Sequence, residues 1–144
     1  MKPHITEAKP EDVPQLSFLL EQLGYPASES EVLSKLKLYS QPDYKLLVAQ
    51  SKTIVFGFIA LHIQQTFHLP GSIGRITSFC VDEKMRGLGV GSLLLAAAEE
   101  YFSVNKCYKV EVTSNFKRID THTYYLKHGY SETNRHFVKI LGNK

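Results

Sequence analysis

The chain lacks any apolar run approaching the roughly 18 residues of a membrane-spanning helix, and Met1-Lys2-Pro3-His4 carries no apolar leader core. No membrane partner is expected. Cysteine is scarce: Cys80 and Cys107 are the whole supply in 144 residues. That excludes a disulfide framework and points to a reducing, cytoplasmic setting. Charge of one sign is also scarce, since 17 basic residues against 14 acidic ones leave a net charge of +3 with no dense basic block. Such a balance is a poor footprint for nucleic acid, and none is expected as a partner. The histidines are scattered without metal-ligand spacing, so no metal site is expected. Nor is there an internal repeat, a linker or a low-complexity tract. With 43% hydrophobic and 22% charged residues, the chain reads as one domain over residues 1–144, long enough to bury a core.

What is present centres on Arg86-Gly87-Leu88-Gly89-Val90-Gly91-Ser92. An apolar strand-like run, Arg75 to Val81, leads in, and a strongly helical run from Leu93 leads out. The first turn of a helix has N–H groups with no intrahelical acceptor, and the helix dipole adds partial positive charge there. Glycines remove the Cβ atoms that would hold a ligand away. Strand, glycine turn and helix N-terminus together make an anion-binding arrangement, with phosphate as its usual guest. The turn lacks the Gly-Lys-Ser/Thr ending of a P-loop. It also lacks the sixth-position glycine of a dinucleotide fingerprint, where Ser92 stands.

Periodicity supplies the frame. His4 to Ala8 reads as a strand. Pro10 opens a helix carrying Val13, Leu16, Leu19, Leu20 and Leu23, and Gly24 stops it. Ser28 and Glu31 form a capping box for a second helix. Tyr44–Gln50 and Ile54–Ile63 read as an antiparallel hairpin, with Gly57 marking a bulge or a close backbone approach. After the central strand and the long helix, Tyr108–Ser114 is a strand parallel to Arg75–Val81 through a right-handed crossover. Ile119–His128 is a short helix stopped by Gly129, and His136–Leu141 is read as a last strand. This order implies an α/β fold, a mixed sheet with helices on both faces.

A second constellation lies in Asn115-Phe116-Lys117-Arg118-Ile119-Asp120-Thr121-His122-Thr123-Tyr124-Tyr125, followed by Gly129-Tyr130. Together with the glycine turn it resembles the GCN5-related N-acetyltransferase (GNAT) family. The turn matches that family's Arg/Gln-x-x-Gly-x-Gly/Ala signature, and Asn115, Arg118, His122, Tyr125, Gly129 and Tyr130 match a later segment of many members. Thr121 and Tyr124 depart mildly from it.

The resemblance implies a mostly antiparallel central sheet with a parallel pair at its middle. It also implies transfer of an acetyl group from acetyl-CoA, as co-substrate, to a primary amine on a small molecule or peptide by direct attack. The pyrophosphate would rest on the amides of Arg86, Gly87, Leu88, Gly89, Val90, Gly91 and Ser92. Main-chain groups of Phe79 and Val81 would pair with the pantetheine arm. Asn115 would bond the arm or the substrate, or serve only as a turn residue. Tyr125 would act as general acid. A phenol with an ordinary pKa near 10 can protonate the sulfur as it departs. Tyr124 and Tyr125 lie about 100° apart on a helix, so only one of them can face the core. The glutamate that some members carry on the central strand is absent here. Glu111 on the next strand is the nearest carboxylate for a base, with a water chain as the alternative. A homodimer through the last strands also follows from the resemblance. A non-catalytic CoA-binding module on the same fold is the other reading.

Overall fold

The computed structural model describes residues 2–113, 119–133 and 136–142. They fall into two compact units, Met1–Thr113 and Ser114–Lys144. The first unit holds a five-stranded sheet of β1 (His4–Glu7), β2 (Tyr44–Ser51), β3 (Ile54–Gln64), β4 (Ser72–Val81) and β5 (Cys107–Val112), paired in that spatial order. The β1–β2, β2–β3 and β3–β4 pairs are antiparallel, and β4–β5 is parallel. The helix between β4 and β5 supplies the long crossover that parallel neighbours require. It is α3 (Val90–Val104).

Local sequence accounts for the helices. Pro10 opens a single 3₁₀ turn, Pro10–Asp12, which runs into α1 (Val13–Leu23). Helix α2 (Glu29–Leu38) begins at the expected capping box: the Glu31 N–H donates to Ser28 Oγ at 3.2 Å, and the Ser28 N–H donates to Glu31 Oε1 at 2.8 Å. One core cluster joins Val13, Leu16 and Leu19 of α1 and Val32 of α2 to Val48, Val55, Phe58 and Cys80 of the sheet. On α3 a stripe of Leu94, Leu95, Ala98 and Phe102 is buried, with Tyr101 half-buried.

Gly57 fulfils both of its expected roles. The β2–β3 register shifts beside it, where Ala49 faces Gly57 but Gln50 faces Val55. A Cβ on Gly57 would also lie 2.7 Å from the Cys80 carbonyl oxygen and 3.2 Å from Leu94 Cδ1. The first neighbour is backbone and cannot swing aside. Gly57→Ala should therefore cost about 1–3 kcal/mol of stability, read as a lower urea midpoint with an unchanged slope.

In the second unit, α4 (Ile119–Lys127) forms where expected and ends at Gly129, whose φ is +91°. The expected last strand does not form: residues 136–141 carry no ladder pairing. Phe137, Val138, Ile140 and Leu141 are all exposed. Apolar composition supplies strand propensity but no partner for the N–H and C=O groups, and pairing is what makes a strand. Among the described strands, the parallel pair consequently lies at one end of the sheet.

Candidate active site

The turn after β4 is built by hydrogen bonds from both sides. The Asp82 N–H donates to the Phe56 carbonyl at 2.8 Å, anchoring the strand end. The Gln22 amide of α1 donates from Nε2 to Asp82 Oδ1 at 3.3 Å and accepts the Glu83 N–H on Oε1 at 3.0 Å. Asp82 Oδ1 also accepts the Lys84 N–H at 3.1 Å. Arg86 Nε donates back to the Val81 carbonyl at 3.2 Å. These bonds fix how the chain leaves the sheet.

Gly87 and Gly89 then take φ of +81° and +86°, a conformation that costs an L-residue about 1–2 kcal/mol. Gly89 is the N-cap of α3, and the first helical bond runs from the Leu93 N–H to the Gly89 carbonyl at 3.1 Å. A Cβ on either glycine would meet nothing within 4 Å. The conformation, not crowding, thus selects glycine, and the space above the helix end is open. Leu88 is exposed and Val90 is buried at 3%. The turn is pinned to the core by Val90 and presents backbone outward, a donor set suited to a pyrophosphate.

Upstream, β4 and β5 part company. Their pairing ends at Ile76 opposite Val112, yet β4 continues to Val81. Thr77 is where the change occurs. Ala60 faces Ser78 and Leu61 faces Ile76, which leaves Thr77 as the extra residue of a bulge. From Thr77 to Val81, a span of about 13 Å at the usual strand rise, β5 provides no ladder partner. Phe79 and Val81 lie in this segment. Its geometry suits an extended guest that adds itself as a strand.

Glu111 is held by two cations. Arg75 Nη1 donates to Oε1 at 2.8 Å, and Lys109 Nζ lies 2.9 Å from Oε2. The hydrogen bond from Lys109 to Glu111 is the leading cause that raises the lysine's pKa. Cys80, at 4% exposure, donates its Sγ–H to the Leu19 carbonyl at 3.5 Å and packs in the core. Burial, then the Asp43 carboxylate, pushes the Cys107 thiol up, which keeps it in its unreactive protonated form.

In the second unit Tyr125 is the more buried of the adjacent tyrosines, at 8% exposure. Its ring meets Tyr124 edge-on at 5.6 Å and Tyr130 at 5.6 Å between centroids. The Tyr130 N–H donates to the Tyr125 carbonyl at 3.0 Å. Asn115 and Arg118 lie outside the described residues.

Sequence reasoning missed Gln22, Tyr39 and Thr77. Tyr39, at the C-cap of α2, reaches 3.0 Å from Thr77 Oγ1. No local pattern announces a contact between residues so far apart in the chain.

A family model described as "Acetyltransferase (GNAT) domain" matches residues 6–140. The chain belongs to the GNAT acetyltransferase family. It is 34% identical over 123 residues to the aminoalkylphosphonate N-acetyltransferase of Salmonella typhimurium, covering 85% of this chain and 78% of that protein. A GNAT family acetyltransferase of Staphylococcus aureus superposes with a TM-score of 0.83 at 24% identity, covering 98% of this chain and all (100%) of that one. The aminoglycoside acetyltransferase AAC(6')-Iy, in complex with the bisubstrate analogue CoA-S-monomethyl-acetylneamine, superposes with a TM-score of 0.85 at 15% identity, covering 99% and 100% of the two chains. This GNAT protein is an N-acetyltransferase on the expected mixed sheet. No helix among its described residues is long and apolar enough to cross a membrane.

Proposed function

We propose that residues 1–144 act as one domain that transfers the acetyl group of acetyl-CoA to the primary amine of a small molecule bearing an anionic group. The observation that carries the reading is the end of β4–β5 pairing at Ile76, while β4 runs on to Val81 and into the glycine turn. The pyrophosphate is held by the amides of residues 86–92 and the Arg86 guanidinium. The pantetheine arm runs back along Val81 and Phe79 towards Thr77, and Asn115 assists it.

Acetyl-CoA supplies an activated acyl carbon. The amine, after one proton leaves its ammonium form, attacks the thioester carbonyl. The C–N bond forms, the C–S bond breaks, and sulfur takes the electron pair. Tyr125 gives sulfur its proton and is restored as the amide nitrogen sheds its surplus proton. The net products are the acetamide, CoA thiol and one proton to solvent. A water chain is favoured over Glu111 as the proton acceptor, because Arg75 and Lys109 already engage both carboxylate oxygens. A cytoplasmic location fits the scarcity of cysteine, with two residues in 144.

The anionic group on the substrate is supported by the Salmonella relative, whose name specifies aminoalkylphosphonates. It is supported as well by the surplus cation that Arg75 and Lys109 leave around Glu111. The test is turnover of aminoethylphosphonate against ethylamine, followed by CoA thiol release. The phosphonate should be preferred by at least about tenfold in kcat/KM, the scale of one charge-assisted hydrogen bond. Equal turnover of both amines would sink the anionic-substrate reading.

A further inference from the structure

We infer that Tyr39 is an amine-binding residue, held by Thr77 as a hydrogen-bond acceptor. The inference rests on the acetyl-transfer reading above, with the pantetheine arm along β4.

The argument begins with where the reacting carbon must stop. An arm running from the glycine turn back along β4 can pair with the strand only as far as Thr77. At Ile76 the neighbour is Val112 of β5. The thioester end of the arm therefore emerges at the bulge. The side chain at that point is Thr77, which is exposed, and the group bonded to it is the Tyr39 hydroxyl.

The direction of the bonds is fixed by counting protons. Thr77 Oγ1 lies 3.2 Å from the Ala60 carbonyl oxygen and donates to it. A carbonyl can only accept, and threonine has one hydroxyl proton. The bond between Tyr39 and Thr77, at 3.0 Å, must then carry the tyrosine proton to Thr77. With that proton committed, Tyr39 Oη has only lone pairs to offer. No other hydrogen bond to the Tyr39 hydroxyl is present among the described residues. Its ring is braced edge-on by Tyr44, with centroids 5.2 Å apart, and Tyr44 is stacked on His62 at 4.4 Å. The result is an oriented acceptor beside the end of the proposed arm. An acceptor suits a nitrogen that carries N–H donors and must aim its lone pair at the thioester carbon.

The experiment is steady-state kinetics with aminoethylphosphonate on the full chain, for wild type, Tyr39→Phe, Thr77→Val and Thr77→Ser, alongside calorimetric titration of acetyl-CoA into each. Tyr39→Phe should raise the amine KM roughly tenfold to a hundredfold, the scale of a hydrogen bond to a charged group, with kcat less affected and acetyl-CoA affinity unchanged. Thr77→Val should raise the same KM, because the tyrosine proton is then free to turn towards the amine. Thr77→Ser should restore most of the loss, since it keeps the relay; a packing role for Thr77 would not show that rescue. Wild-type amine KM in both Tyr39→Phe and Thr77→Val overturns the inference while leaving acetyl transfer intact. Failure of wild type to bind acetyl-CoA, or to acetylate the amine, overturns the reading beneath it and the inference together.

Discussion

Tyr125→Phe should lower kcat by about two to four orders of magnitude, the usual contribution of a positioned general acid, with acetyl-CoA affinity close to wild type. The substitution removes one oxygen and leaves the ring, so the edge contacts with Tyr124 and Tyr130 persist. Release of CoA thiol at saturating amine reads the chemical step, and calorimetry reads the cofactor. The two tyrosine substitutions should separate cleanly: loss of Tyr125 lowers kcat, and loss of Tyr39 raises the amine KM. Unchanged turnover in Tyr125→Phe would reduce Tyr125 to a packing aromatic and pass the protonation of sulfur to another group or to water.

Gly89→Glu should weaken acetyl-CoA binding by about thirtyfold to a thousandfold, if backbone strain and like-charge repulsion each contribute about 1–2 kcal/mol. Gly89 has φ of +86° and caps α3, so any side chain there is strained, and a carboxylate places negative charge where the pyrophosphate is proposed to sit. The space beside it is open, so the fold should survive, and circular dichroism provides the control. Gly89→Ala should show the smaller loss due to strain alone. Full affinity in Gly89→Glu would move the cofactor away from the glycine turn.

Much of this architecture was legible because its causes are local. The capping box at Ser28 and Glu31 is three residues long, and the stripe on α3 repeats every turn. The glycine turn was legible for the same reason: positive φ and an open helix end demand a residue type at a position. The failures share a different cause. Residues 136–141 have strand composition, but a strand is a relation between two segments, and the sequence lists only one. The bulge at Thr77 exists only as a mismatch of register with β3. The bond from Tyr39 to Thr77 joins an α2 cap to β4 across the whole hairpin. Glu111 was visible as a carboxylate near the right strand, whereas its engagement by Arg75 and Lys109 depends on which side chains share a sheet face.

The parting of β4 and β5 has an evolutionary consequence. A guest read by the peptide groups of residues 77–81 places its demand on the path of the main chain, and every amino acid except proline brings the same donor and acceptor. The side chains of that segment are free to drift while the groove persists. Proteins with 15% and 24% identity to this one keep its fold with TM-scores of 0.85 and 0.83. If residues 77–81 are the acetyl donor's berth as proposed, one acceptor molecule can be exchanged for another by rewriting the residues around the bulge, with that berth left intact.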